Sequence, residues 1–303
     1  MTQFDLHVMV DWSAASAPTR GRDSIWTAVR GSEHEPDGTR DACDLVNHAT
    51  RASAAAHLAE LVRANPGRRI LVGIDVSLGL PAGAAAVIAP AWPTWRGVWD
   101  VVTGLLDDDH RNRNNRFEVG AELNRRLGAT EGPFWGCPNG REIADLHPTR
   151  PALWTLPEYR EVERALRSAG RRPFSTWQLA YAGSVGGQTL TAMPALSRLA
   201  ALYPQRVRIW PFETGLEPAP ARECEDAVVS AEIWPSAFEI DRDRHAVLDA
   251  AQVAHVSAAM ATADRGGELA RWFAPPILHD RTVLDEEGWV LGVGADGSVP
   301  WRA

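Results

Sequence analysis

Two short apolar runs, Leu6-His7-Val8-Met9-Val10-Asp11 and Ile70-Leu71-Val72-Gly73-Ile74-Asp75, each stop on an aspartate. Such runs read as strands that carry a carboxylate at their C-terminal ends. The chain between them decides which kind of sheet they enter. The first run is followed by a polar Ser/Ala/Pro/Thr/Arg/Gly turn and a second strand signal, Ser24-Ile25-Trp26-Thr27-Ala28-Val29, which predicts a hairpin. A weaker third signal covers Asp44 to Asn47. Ala54 to Ala64 reads as a helix stopped at Asn65-Pro66-Gly67, just ahead of Ile70. The order β-β-(β)-α-β predicts an α/β fold: a mixed sheet flanked by helices.

From about Ala84 to Leu202 the chain turns Trp-rich and Pro-punctuated, with helical segments. Strand signals return at Val207-Arg208-Ile209-Trp210 and in Val228-Val229-Ser230-Ala231-Glu232-Ile233-Trp234. This predicts one domain over residues 1–303 with a large helical insertion at 84–202. An Ala-rich helix is expected from about His245 to Ala263, and a terminal strand or hairpin around Trp289 to Val293 and Asp296-Gly297.

Composition narrows the chemistry. All 31 basic residues are arginine, so a P-loop, a Schiff-base enzyme and any mechanism that needs an ammonium group are ruled out. The formal charge of -8 argues against wholesale coating of nucleic acid or anionic membrane. It is unevenly spread: residues 84–200 hold 14 Arg and 12 Asp plus Glu, so the acid excess belongs to the rest of the chain. No secretory leader and no apolar run near 18 residues stands out, which predicts a cytoplasmic protein without a membrane partner. Cys43, Cys137 and Cys224 are too scattered for a zinc site and read as free thiols.

Asp11 and Asp75 end apolar strands, and Glu232 comes late in a third. Ligand sites of open α/β sheets lie where strands end. Asp249 shares a helical face with Val253, Val256 and Met260, so it is carried on the face that packs against the sheet. Carboxylates crowded together repel unless a divalent cation neutralises them, and hard oxygen donors favour Mg²⁺ or Mn²⁺. Asp11, Asp75, Glu232 and Asp249 are therefore the candidate catalytic and metal-ligating residues.

The segments VDWSAAS, GIDVSLGLP, AEIWPS and the LDA start of the late helix resemble the acid-bearing segments of the ribonuclease H-like superfamily, and in particular an uncharacterised branch of predicted nucleases within it. RRPFSTWQLAYAGSVGGQTLTAMP and RIWPFETG extend the resemblance over most of the chain. It implies a ribonuclease H-like mixed sheet and a metal-dependent nuclease or other phosphodiester hydrolase. Asp11 would be the first-strand ligand, Asp75 the fourth-strand acid and Asp249 the late-helix acid, with Glu232 in an E-x-x-P segment. Resolvase-like members carry a further acid one turn before the late-helix aspartate, where this chain has His245 and Ala246.

Around these acids, Ser13, Arg111, Arg113, Arg116 and His245 are candidate contacts to a nucleic acid or phosphate-ester substrate. Asn115 and Glu118 read as a capping box at a helix start. Arg160, Arg164, Arg167 and Arg171 form a helical stripe with interleaved glutamates, as on a solvated face. Gly183-Ser184-Val185-Gly186-Gly187-Gln188 suits either an anion cradle or close backbone packing. Trp92, Trp95 and Trp99, at helical spacing, suit core packing better than base stacking. Two alternatives stay open: a nucleotide or phosphometabolite binder of the actin-like ATPase and kinase type, and an inactive scaffold of the same fold.

Overall fold

The computed structural model describes residues 2–31, 43–128, 132–152, 156–240, 245–277 and 281–299. Six strands, β1 (Leu6–Asp11), β2 (Ile25–Gly31), β3 (Asp44–His48), β4 (Ile70–Ile74), β5 (Val207–Ile209) and β6 (Val228–Glu232), form one sheet in the order β3-β2-β1-β4-β6-β5. β1, β2 and β3 pair antiparallel, whereas β1, β4, β6 and β5 are parallel. The return to a parallel neighbour after β3 needs a crossover, which is α1 (Arg51–Ala64). Thr50 caps α1 by accepting a hydrogen bond from the Ser53 amide at 3.2 Å. The weak third strand signal is thus a real edge strand, more exposed than the others.

Strand alternation sorts side chains onto two faces. Leu6, Val8 and Val10 of β1, with Ile70, Val72 and Ile74 of β4, face a core shared with Trp95, Trp99, Trp177 and Leu190. Met9, Leu71, Val229 and Ala231 face the opposite core, built with Val253, Val256 and Met260 of α7 (Leu248–Gly266). Between β4 and β5 lie α2 (Ala84–Ile88), α3 (Trp95–Leu105), α4 (Arg116–Arg126), α5 (Glu161–Ser168) and α6 (Val185–Leu202); α8 (Leu269–Phe273) follows α7. Trp95 and Trp99 are buried, but Trp92 is 64% exposed and outside the core.

Among the described residues the expected terminal strand or hairpin is not formed. Val290 makes a single bridge beside Glu232, Leu291 donates to the Glu232 carbonyl at 2.9 Å, and the rest of the segment is turns. A π-helical turn at Val283–Glu287 precedes it. There Glu286 accepts from the amides of Gly83 (3.0 Å) and Ala85 (2.5 Å), and Glu287 from those of Ala82 (2.8 Å) and Glu161 (2.7 Å). Two carboxylates thereby satisfy the open amides at the starts of α2 and α5. The backbone of this turn passes so close to Gly79 that a Cβ there would lie 2.2 Å from the Glu286 oxygen. Among the described residues, no helix is long and apolar enough to cross a membrane.

Candidate functional site

β1 and β4 run parallel with Val10 opposite Ile74, and the Asp75 amide donates to the Val10 carbonyl at 3.0 Å. Asp11 therefore ends β1, and Asp75 directly follows the last residue of the neighbouring β4. His7, Met9 and Asp11 alternate onto the α7 side of β1. At one end of that face His7 Nε2 meets Asp264 Oδ2 at 3.1 Å, near the C-terminus of α7. At the other, Asp11 is close enough to Asp249, in the first turn of α7, for their charges to interact. The helix lies antiparallel to the strand and brings its N-terminal acid to the strand-end acids.

Neither the Asp11 nor the Asp75 carboxylate accepts a hydrogen bond among the described residues. Burial raises the Asp11 carboxyl well above the usual range, and the charges of Asp75, Asp249 and Asp23 raise it further. Asp75 is pushed up to about 7, first by burial and then by Glu232 and Asp249. Asp249 is also raised by burial, although it accepts a 2.9 Å hydrogen bond from the Asp23 amide. Asp23 is the acid that sequence patterning missed. It sits in the β1–β2 turn at φ 57, among polar residues that carry no periodic signal. The antiparallel register, with Asp11 opposite Trp26, brings that turn back over the end of β1.

Glu232 is placed differently. Its register partner is Ile74, on the insertion side of the sheet, so its side chain leaves the strand on the face opposite Asp11, although it still lines the cleft beside Asp75. There it is buried against Arg160, which donates from Nη1 to Oε2 at 2.8 Å and from Nη2 to Oε1 at 2.6 Å; the Leu78 amide adds a 3.1 Å bond. Arg160 is wholly buried and also holds Glu163, whose carboxylate caps α5 by accepting from the Arg160 amide at 2.8 Å. This corrects the reading of the arginine stripe as a solvated face. Arg164 does lie at the surface, paired with Glu161, but Arg160 is the charged centre of the join between insertion and sheet.

The loop after β1 is fixed from outside. Arg51 forks onto Asp108 with two 2.6 Å bonds and donates to the carbonyls of Ser13 (3.0 Å) and Ala15 (2.8 Å). The Ser13 hydroxyl donates to the Asp23 carbonyl at 2.9 Å, tying loop to turn. From α6, Gln188 donates to the Trp12 carbonyl at 2.7 Å, and the Trp12 indole donates to Thr191 at 3.1 Å. Gly186 packs directly on the Thr176 and Gln178 carbonyls, where a Cβ would come within 2.2 Å, so close packing accounts for it.

Of Arg111, Arg113 and Arg116, the last being the first residue of α4, only Arg116 lines the site. Arg113 pairs with Asp109 at 2.7 Å, and this hydrogen bond holds Asp109 down at about 2, while Arg111 is exposed. Arg116 donates to Ser16 and Asn114, both at 2.9 Å, and has no carboxylate partner among the described residues. Burial, with Arg51 and Arg141 nearby, lowers it to about 10. Asn115 occupies the N-cap position, but its side chain bonds the Asp107 amide and the Leu105 carbonyl, so the expected capping box is absent. His245 packs edge-on against Trp26 at 5.3 Å and accepts from the Val247 amide at 3.0 Å, which makes it a helix-entry residue.

Two adjoining clefts open over the carboxylates. One, of about 340 Å³, is lined by Asp75, Ser77, Phe174, Tyr181 and Trp234. The other, of about 360 Å³, is lined by Asp11, Ser13, Arg116 and Asp249. Asp23, Ser184 and Gln188 line both. Among the described residues, no group of three His, Cys, Asp or Glu side chains is gathered closely enough to hold a metal ion as it stands. No family model matches this chain, and no curated protein or solved structure is a significant match to it.

Proposed function

We propose that this protein is a divalent-metal-dependent phosphodiester hydrolase on a ribonuclease H-like sheet. The observation that carries the reading is the placement of Asp11 and Asp75 on adjacent strand ends, with no donor to either carboxylate among the described residues and with both groups shifted toward the protonated form. Uncompensated carboxylates of this kind are costly to keep ionised, and a hard cation offsets that cost. Asp249, reaching in from α7, and Asp23, from the hairpin turn, add charge to the same place. The mixed strand order and the late helix packed across β1 and β2 support the fold assignment.

Asp11, Asp75 and Asp249 would hold Mg²⁺ or Mn²⁺, with small side-chain movements closing them on the ion. When bound, such an ion lowers the pKa of water and stabilises charge on phosphoryl oxygens. Arg116 would supply the cation that orients a phosphate across the cleft. Glu232 acts on the site through its charge on Asp75 while Arg160 holds it in place. The test is cleavage of a panel of DNA, RNA and small phosphodiesters with Mg²⁺ or Mn²⁺. Wild type should cleave at least one member and D11N none, with the variant still folded; full activity in D11N would overturn the proposal.

A further inference from the structure

Phe174 and Tyr181 are 54% and 47% exposed, yet both belong to the cleft wall beside Asp75. Neither ring is loose. Phe174 lies flat against Gly183, where a Cβ would meet its ring at 2.3 Å, and the Tyr181 hydroxyl donates to the Cys137 carbonyl and to Asn139, each at 3.0 Å. Trp234 adds a third ring to the same wall. Phe174, backed by Gly183, and Tyr181, pinned by its hydroxyl, keep about half their surface exposed at the cleft wall, where a planar group can pack on them. The neighbouring cleft offers the opposite chemistry. Arg116 lines it, and among the described residues it has no carboxylate partner and its buried Nε has no hydrogen-bond partner. A guanidinium in that condition calls for an anion with oxygens at two or more donor positions.

We infer that the two clefts together seat one unpaired nucleotide, its base on Phe174, Tyr181 and Trp234 and a phosphate at Arg116. Both clefts fall within the size of small-ligand sites, roughly 300–1,000 Å³ each. The clefts adjoin at Asp23, Ser184 and Gln188, which line both, with Asp75 on the base side and Asp11 on the phosphate side. A sugar joining the two groups would pass over the strand ends. A double helix cannot present a base this way, so the substrate class is a single-stranded end, an extruded base or a free nucleotide. This substrate assignment rests on the proposed hydrolase reading, but recognition itself needs no metal.

The test is calorimetric titration in EDTA of adenosine 5′-monophosphate, ribose 5-phosphate, adenosine and a single-stranded pentanucleotide. The mononucleotide should bind more tightly than either of its parts. F174A should weaken the mononucleotide by about tenfold and leave ribose 5-phosphate unchanged. R116Q should weaken both phosphates by a similar factor and spare adenosine. Tighter binding of the pentanucleotide assigns a strand, and equal binding a free nucleotide. Equal binding of ribose 5-phosphate and the mononucleotide to wild type, or an unchanged affinity in F174A, would overturn the inference. Metal-dependent cleavage that is lost in D11N but unaffected in F174A would remove this inference and leave the hydrolase standing. Base-dependent binding without cleavage would do the reverse.

Discussion

Arg160 and Glu232 meet fork to fork, Nη1 to Oε2 at 2.8 Å and Nη2 to Oε1 at 2.6 Å, both wholly or almost wholly buried. The pair joins a residue just ahead of α5 to the last residue of β6, 72 positions apart. Removing one partner from such a pair costs far more than the pair itself contributes, because the other charge is left without water or a counterion. R160M should therefore lower stability by about 3–5 kcal/mol in denaturant titration. E232Q should cost less, because Arg160 keeps Glu163. A loss below about 1 kcal/mol in R160M would mean that the fork does not hold the insertion to the sheet.

Asp75 makes stability depend on pH in an unusual direction. Its pKa of about 7 in the folded protein lies above the roughly 3.9 of an unfolded aspartate. The folded state thus holds the proton more tightly, and this contribution is complete below about pH 4 and lost as pH rises through 7. D75N cannot lose it. In metal-free buffer the variant should match wild type near pH 4 and become more stable toward pH 8, by roughly 4 kcal/mol at most. A pH-independent difference between the two would show that Asp75 is not the group responsible.

Metal should reverse that penalty. Mn²⁺ at a hundred times its dissociation constant would add about 2.7 kcal/mol, readable as several degrees in melting temperature. The shift should grow between pH 5.5 and 8 as Asp75 gives up its proton, and it should disappear in D11N. An equal shift in D11N would place the ion elsewhere.

Gly79 tests the wall beside the site. A Cβ at this position would lie 2.2 Å from the Glu286 oxygen and 2.4 Å from the Glu287 oxygen, both backbone atoms that cannot rotate away. G79A should cost about 3 kcal/mol or more, since overpacking against backbone has no cheap relief. G104A, with nothing within 4 Å of its Cβ, is the matched control and should be close to neutral or slightly stabilising.

Much of this architecture is legible in side-chain periodicity. The two Asp-ended strands, the hairpin and the crossover helix follow from alternation, turn chemistry and helix stops, and the late helix carries Asp249 on the face predicted for it. What escaped is set by pairing across the sheet. The sequence near Glu232 resembles the other strand ends, and only its register opposite Ile74 shows that it leaves the strand on the face opposite Asp11 while still lining the cleft beside Asp75. Arg160 looked like one member of a surface stripe because helical spacing cannot tell which arginine precedes the first turn and turns inward. Asp23 lies in a turn whose location depends on the β1–β2 register. The tail was read as a strand from its apolar residues, but its backbone reaches the sheet at one bridge only.

That bridge sets an order of events during synthesis. Leu291 donates to the carbonyl of Glu232, and Glu286 and Glu287 occupy the amides at the starts of α2 and α5. A nascent chain can align its strand-end aspartates once α7 has been made, but the wall beside them waits for residues near 290 to leave the ribosome. Ribosome-bound chains stalled before that point should hold the sheet yet leave those helix starts open to solvent and to protease.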